Sequence, residues 1–541
     1  MTLLAVSVVG DAIAQIRRDV AEAAALGAEL IELRVDRMPG VCDDDILSLR
    51  ESPAPPTPLI LTIRSEAEGG DWSGPDAARI DRLIKLSPIA DYIDVELATW
   101  LHSDAIRQQL RAVLGHGNPF ARLASESDVP RTPLRKLILS CHDFTGRPAT
   151  LTKLHIDLLS TESCDVPKLA WRARTIRDNF EAFEMMRLRH DRSAGRSPGP
   201  PIVICMGPEG LPSRVLAKKF GAFATFASLR PGVETAPGQP TISTLKGVYR
   251  WDAIDAKTAV YGLIGDPVEH SIGPQLHNGA FAESGINAVY LPLKVNPGYE
   301  SFAAFVVEAL ARPWADFRGF SVTIPHKENA LRFIQRYGGA VDDLAARIGA
   351  VNTITVGPDS ELVGFNTDHD AALQTIASGL GRSTAQLAGL TVAVLGAGGV
   401  ARAIVAGLCG VGAQVTIYNR TAGRAAELAK AFSCVSAPWE QRAESSADLI
   451  VNCTSVGLAA DRDASPLPAE TLQPHQAVFD TIYTPPETKL LQQAKARGCT
   501  TIEGAVMFAL QAQAQFELWT GQGLASAFFL ERTRQLLSSG R

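Results

Sequence analysis

Lys168 stands in the run Val166-Pro167-Lys168-Leu169-Ala170-Trp171, whose other members suit a buried strand. An ammonium there is costly to desolvate unless its neighbours compensate. Either the lysine sits in water at a strand end and has no role, or it is an amine kept partly neutral so that it can attack a carbonyl carbon. The same half of the chain carries His142 before Asp143 and Phe144, and Glu68 before Gly69 and Gly70. Glu32, Arg34 and Asp36 follow one apolar run, Arg64 another, and Arg214 and the stretch Thr235 to Gln239 come later. Histidine and glutamate can move protons, and guanidinium groups grip carboxylates through paired donors. Each residue taken singly reads equally well as structural. Further on, Lys327 in SVTIPHKENA and Asp368 in GFNTDHD form either a proton-trading pair or a surface salt bridge.

These side chains need elements to position them. Apolar, β-branched runs fall at 3–9, 29–35, 59–64, 92–97, 136–141, 166–171, 201–206 and 222–227, with amphipathic stretches filling most of the gaps. Eight strands with intervening helices in about 240 residues suggest a (β/α)8 barrel, with a doubly wound sheet as the competitor. In a barrel the polar residues above would meet at the C-terminal strand ends. The loops 51–58 and 190–200 read as simple connections, and 117–133 as an insertion. After a break near 234–243 a new unit of alternating strands and helices opens at about 259. The segment 390–421 reads strand, glycine turn, helix, strand. Gly396, Ala397, Gly398 and Gly399 form that turn, where a backbone can approach a pyrophosphate at a helix N-terminus. The next strand ends in Asn419, Arg420 and Thr421, with Arg424 one turn on, instead of the acid that would take ribose hydroxyls. Cationic side chains suit a 2′-phosphate, so NADP is favoured. The alternative is that Arg420 is an ordinary solvated residue.

The chain of 541 residues exceeds one ordinary core, and about two to four domains are expected. With 46% hydrophobic and 20% charged residues it has a globular composition. A net charge of −6 argues against non-specific nucleic-acid binding. Eight scattered cysteines without a CxxC spacing give no zinc motif or redox pair, and fit a reducing compartment such as the cytoplasm. No apolar stretch has the length of a membrane span, and the N-terminal apolar run lacks the basic lead of a signal peptide. No metal is expected.

In the second half GDPVEHSIGPQLHN (265–278), VTIPHK (322–327), GAVNT (349–353), GFNTD (364–368), GAGGVARA (396–403), NRT (419–421) and DTIYTPPET (480–488) occur in that order. Together they resemble the shikimate dehydrogenase family over about residues 258–541. The resemblance implies reduction of 3-dehydroshikimate with NADPH. It also implies Lys327 as proton donor to the forming alkoxide, Asp368 holding it, and Ser271, Thr323, Asn352, Tyr483 and Gln511 as substrate contacts. One departure stands out: the family's SxSP is here Ser271-Ile272-Gly273-Pro274. A missing hydroxyl donor to a charged group costs about 1–3 kcal/mol and leaves room for quinate as the alternative substrate.

The first half, over about residues 3–240, resembles type I 3-dehydroquinate dehydratase. Lys168 fills that family's D-x-x-K-x-A Schiff-base position, His142 its histidine before Asp-Phe, and Glu68 its glutamate before Gly-Gly. The resemblance implies imine formation at Lys168, proton transfer by His142, and Glu68 orienting His142 and favouring its charged form. Arg214 would bind the substrate carboxylate, helped by Gln239. Glu32, Arg34 and Arg64 would arrange the ring hydroxyls, and Thr235 stands where the family commonly has serine. The rival for this half is a non-catalytic barrel that binds a metabolite. The expected division is a barrel at 1–245, a linker at 246–258, a substrate domain at 259–370, an NADP-binding Rossmann-like domain at 371–500 and C-terminal helices at 501–541 returning to the substrate domain. Partners are small-molecule substrates, with no membrane and no nucleic acid, and the oligomeric state is left open.

Overall fold

The computed structural model of the protein describes residues 2–50, 57–114, 135–188, 198–458 and 461–539. Of the loops expected at 51–58 and 190–200, residues 51–56 and 190–197 lie outside the described residues, as does the insertion at 117–133. The chain divides into two units, Met1–Thr258 and Ala259–Arg541.

The first unit contains eight parallel strands: β1 (Leu3–Val8), β2 (Leu30–Arg34), β3 (Leu59–Thr62), β4 (Tyr92–Glu96), β5 (Lys136–Asp143), β6 (Val166–Arg172), β7 (Ile202–Met206) and β8 (Ala224–Ser228). The sheet runs in the order β7-β6-β5-β4-β3-β2-β1-β8. Its two ends meet where Phe223 N donates to Pro201 O at 2.9 Å. This is the (β/α)8 barrel, not the doubly wound competitor. Side chains alternate across each strand, and one parity shares the interior. Ala5, Leu30, Ile60, Ile138, Val166, Ile202 and Ala224 form an apolar floor near the strand starts. Two residues further along each strand the same parity delivers Ser7, Glu32, Thr62, Asp94, Ser140 and Lys168. All six are buried. The polar layer therefore rests on a dry one, which keeps its hydrogen-bonding groups facing one another.

The segment expected as a linker, 246–258, packs into this unit. Tyr249, Trp251 and Ile254 are buried, and Lys218 Nζ donates to the carbonyls of Trp251 (3.3 Å) and Asp252 (3.1 Å). Trp251 is a large side chain with no polar exposure to gain, so burial decides its position over the loop-like look of the sequence.

The second unit holds two six-stranded sheets. The first comprises β9 (Ala259–Gly265), β10 (Ala288–Lys294), β11 (Phe317–Val322), β12 (Ala340–Val341), β13 (Thr353–Val356) and β14 (Leu362–Phe365), in the order β10-β9-β11-β13-β14-β12. β13 is antiparallel to both neighbours. The second comprises β15 (Thr391–Leu395), β16 (Gln414–Tyr418), β17 (Val435–Ala437), β18 (Leu449–Asn452), β19 (Ala477–Asp480) and β20 (Thr500–Glu503). Its order, β17-β16-β15-β18-β19-β20, is wholly parallel and is that of a dinucleotide-binding sheet, with the switch point at the C-terminal end of β15. The helices Gly504–Thr520 and Ser526–Ser539 pack Ala509, Phe516 and Phe529 into one core with Tyr261, Leu276, Phe281 and Tyr290 of the first sheet's layer.

Candidate active sites

The barrel interior closes above its apolar floor into a pocket lined by Glu32, Arg34, Arg64, Glu68, His142 and Lys168, with Arg214, Thr235 and Gln239 on the far side. Phe144, Met206 and Phe226 supply apolar wall. Lys168 is 4% exposed. Its Nζ donates to Asp94 Oδ2 at 2.8 Å, lies 3.5 Å from Glu32 Oε1, and sits 4.7 Å from the ring centre of Phe226. Those two carboxylates are what let the strand tolerate an interior lysine. Removing one partner of such a pair costs about 3–5 kcal/mol.

Asp94 is fixed from its other side. Ser140 Oγ (2.6 Å) and Arg64 (2.8 Å) both donate to Oδ1. Burial opposes its charge, but Arg64 and Lys168 hold the carboxyl well below the usual carboxylate range. Glu32 is lowered in the same way: Lys168 and Arg34 outweigh its burial.

His142 and Glu68 form the second pair, with His142 Nδ1 2.9 Å from Glu68 Oε2, an oxygen that also accepts the backbone N–H of His142 at 3.0 Å. Two contacts therefore tie His142 to the Glu68 carboxyl, the residue expected to orient it. The electrostatics run against the rest of that expectation. Burial, with Arg64 and Lys168 close by, pushes His142 well below its ordinary value, so the neutral ring is favoured. Burial pushes Glu68 up to about 8 although Arg64 pulls it down. The sequence shows the carboxylate beside the histidine but not the two cations behind it.

Arg214 also lines the pocket and has no carboxylate partner among the described residues. It is 1% exposed, its Nε has no hydrogen-bond acceptor, and its terminal nitrogens reach only the carbonyls of Phe226 (3.4 Å) and Pro237 (3.5 Å). Burial lowers it to about 10. A buried guanidinium with spare donors is a seat for an anion. Gln239 is tied to Thr235: its Oε1 accepts the backbone N–H at 2.8 Å and the hydroxyl at 3.2 Å.

In the second unit Lys327 opens the helix Lys327–Tyr337 and Asp368 opens the helix Asp368–Gly379. The two side chains bond directly, and both are buried. Asn352 spends its amide on the loop carrying Asp368: Nδ2 donates to Thr367 Oγ1 (3.0 Å), and Oδ1 accepts from Thr353 Oγ1 (2.7 Å) and Thr367 N (2.9 Å). Ser271 Oγ accepts Gly273 N at 3.1 Å, and the Tyr483 ring lies tilted with its centre 4.3 Å from that of Phe508. Gln511 donates to Phe508 O at 3.0 Å, and Thr323 is half-buried at the end of β11.

The glycine turn follows β15. Gly396 has φ +113°, and a Cβ there would lie 2.9 Å from the carbonyl oxygen of Cys453. Gly399 has another reason: its Cβ would meet Lys327 Cδ at 3.0 Å. Ala397 is buried, and the space around Gly398 is open. Asn419 Nδ2 donates to Thr421 O at 2.9 Å. Arg420 and Arg424 are exposed, and neither makes an ion pair among the described residues.

Three family models match in succession: type I 3-dehydroquinase over residues 4–256, the shikimate dehydrogenase substrate-binding domain over 263–354, and shikimate / quinate 5-dehydrogenase over 380–459. The chain is 35% identical to the chloroplastic bifunctional 3-dehydroquinate dehydratase/shikimate dehydrogenase of Arabidopsis thaliana, over 96% of this chain and 82% of that protein. The chain belongs to the bifunctional 3-dehydroquinate dehydratase/shikimate dehydrogenase family. Its second half is also 41% identical to the NADP(+) shikimate dehydrogenase of Moorella thermoacetica, over 50% of this chain and 90% of that one. A shikimate 5-dehydrogenase of Thermus thermophilus, solved with NADP(H) and shikimate, aligns with TM-score 0.45 at 36% identity, covering 51% of this chain and 99% of that one.

As a member of this family the protein is a lyase in its first unit and an oxidoreductase in its second. Nine of the barrel residues singled out from the sequence line one pocket, while Asp36 pairs with Arg34 at 2.7 Å outside that lining. Sequence reasoning missed Asp94 and Ser140 there, and in the second unit Gln515, whose buried amide accepts from Ser321 Oγ at 2.7 Å. A signal for Asp94 existed. In the run Tyr92-Ile93-Asp94-Val95-Glu96 both acids share one parity of a strand that a barrel buries on both faces. No comparable signal marks Gln515 among the glutamines of its helix.

Proposed function

We propose that the first unit dehydrates 3-dehydroquinate to 3-dehydroshikimate through an imine at Lys168, and that the second reduces this product to shikimate with NADPH. The observation that carries the reading is the convergence on one pocket of Lys168, the His142–Glu68 pair and Arg214, whose Nε has no acceptor among the described residues.

In the barrel, Lys168 condenses with the substrate ketone. The protonated imine is a better electron sink than the ketone, so the neighbouring C2 proton becomes removable. His142, favoured neutral by its surroundings, takes that proton, and its imidazolium returns a proton to the departing C1 hydroxyl. Glu68 fixes the ring, and Arg214 takes the carboxylate. Arg34, Arg64 and Glu32 set the field and the hydroxyl contacts, and Thr235 with Gln239 closes the remaining side.

In the second unit the turn at Gly396, Ala397, Gly398 and Gly399 and the free cations Arg420 and Arg424, with Asn419 and Thr421, fit a dinucleotide with a 2′-phosphate. NADPH supplies a hydride when bound. Lys327 stabilises the negative charge that develops on the substrate oxygen and gives it a proton, and Asp368 holds Lys327. Ser271, Thr323, Asn352, Tyr483 and Gln511 provide short polar groups around the substrate. Eight free thiols fit a reducing compartment, and we place the protein in the cytoplasm. The functional division follows the expected domains, with 246–258 joined to the barrel.

A second substrate is favoured by one observation. A Cβ at Gly273 would stand 3.1 Å from Ser271 Oγ and 3.7 Å from the Tyr290 hydroxyl, so a hydroxyl is absent from a polar recess. Steady-state rates of the whole chain with shikimate and with quinate, each with NADP and NAD, test the assignment. We expect the highest kcat/KM with shikimate and NADP. A higher value with quinate would reassign the second unit.

A further inference from the structure

Asp94 belongs to the barrel's polar layer, and its side chain is 0% exposed, so it has no solubility role. Its two oxygens are divided between two tasks. Oδ1 accepts from Ser140 Oγ at 2.6 Å and from Arg64 at 2.8 Å, and Arg64 also donates to Ser140 Oγ at 2.8 Å. This closed triangle leaves the carboxylate a single orientation. Oδ2 then points at Lys168 Nζ, 2.8 Å away. Glu32 is further from Nζ, at 3.5 Å, and is occupied by Ser7 (2.7 Å) and Thr62 (3.0 Å). The other charged groups around this centre include Arg34, Arg64, Glu68, Glu96, His142 and Arg214.

The covalent chemistry states what such a fixed anion is for. An ammonium and a ketone give a protonated imine and one water: the nitrogen gives up a proton to attack as the neutral amine, the carbon–nitrogen double bond forms, the carbonyl oxygen leaves as water carrying two protons that nitrogen has lost, and the single positive charge is on nitrogen in both the starting ammonium and the protonated imine. The charge facing Oδ2 is therefore the same before and after condensation. A carboxylate in this position need neither move nor change its protonation. We propose that Asp94 is a positioning residue that aims Lys168 Nζ into the pocket and then serves as the counter-ion of the protonated imine. This rests on the reading of Lys168 as the imine-forming amine, and it assigns the aiming to Asp94 rather than to Glu32, the more visible acid in the sequence.

Three measurements on the full chain test it. Asp94→Asn keeps the shape and an acceptor oxygen but removes the charge. We expect its dehydration kcat to fall about 100-fold with KM for 3-dehydroquinate changed less than about 3-fold, because the substrate's own contacts remain. The rate of borohydride-trapped adduct formation at Lys168 should fall in step. A D94N enzyme with wild-type kcat and trapping rate, while the wild type itself is trapped, would overturn the role of Asp94 and leave the imine intact. A wild type that turns over without any trapped adduct would instead remove the imine reading. Should D94N fail to fold, Ser140→Ala decides, since it frees one side of the carboxylate without touching Lys168: a kcat loss of several-fold at unchanged KM supports the proposal, and wild-type kcat contradicts it.

Discussion

Both units build their chemistry on a buried lysine–aspartate pair, and the two pairs are held differently. Lys168 projects from mid-strand in β6, flanked by two carboxylates on other strands and by the ring of Phe226. Lys327 starts a helix, has Asp368 alone as its anionic partner among the described ion pairs, and lies with its stem against Gly399 of the nucleotide turn. The difference follows from the two jobs. An amine that is cationic both before it attacks and after the imine forms needs a rigid counter-ion on a barrel wall. A proton donor must surrender its charge to the substrate, so one partner suffices, and its position must be tied to the cofactor from which hydride comes.

The largest effect that would break this comparison is a crossed loss of function. We predict that Lys168→Ala lowers dehydration by at least about 10⁴-fold and leaves reduction unchanged. Lys327→Ala should lower reduction by about 10³-fold and spare dehydration. Separate assays with 3-dehydroquinate and 3-dehydroshikimate check both, and either variant losing both reactions would contradict the independence of the two sites.

A smaller effect sharpens the point about Lys327. Gly399→Ala places a methyl 3.0 Å from Lys327 Cδ and 3.3 Å from its Cβ. Gly399 lies at the start of a helix, where alanine is otherwise tolerated. We therefore predict a fall in kcat for reduction of about 10-fold with KM for NADPH within about 3-fold. A raised KM with unchanged kcat would mean that this glycine serves the nucleotide rather than the lysine.

The smallest effect concerns the His142–Glu68 pair. Glu68 is pushed up to about 8 by burial, so it is neutral below that pH and anionic above it. Its anion strengthens His142 as a base. Dehydration kcat/KM should therefore rise with pH toward about 8, and Glu68→Gln should hold the rate near the acid-side level, about 10-fold down or less, with that rise abolished. A pH profile of E68Q that still rises would assign the limb to another group.

The sequence made the barrel legible because its eight apolar runs repeat and each becomes a strand of one sheet. It also showed the charged residues of the strands, where Glu32, Arg34, His142 and Lys168 break an apolar pattern. Asp94 was passed over because a mid-strand acid next to apolar residues looks like an outward-facing one until the barrel fixes which parity is inside. The electrostatic sense of His142 depends on Arg64 and Lys168, which approach it from β3 and β6 and have no sequence proximity to it. Trp251 shows the same limit at a boundary: 246–258 is expected as a linker, while the Trp251 side chain is buried in the barrel unit. Gly399 was read as a cofactor glycine, and only the fold brings the stem of Lys327 against it.

One measurement bears most directly on Lys168 as a covalent amine. The intact protein is incubated with 3-dehydroquinate and sodium borohydride during turnover, digested, and its peptides weighed. We predict that the peptide containing Lys168 gains the mass of the reduced substrate or product adduct, in parallel with loss of dehydration and with reduction by the second unit retained. An enzyme that turns over under these conditions while the Lys168 peptide keeps its native mass would contradict the covalent route.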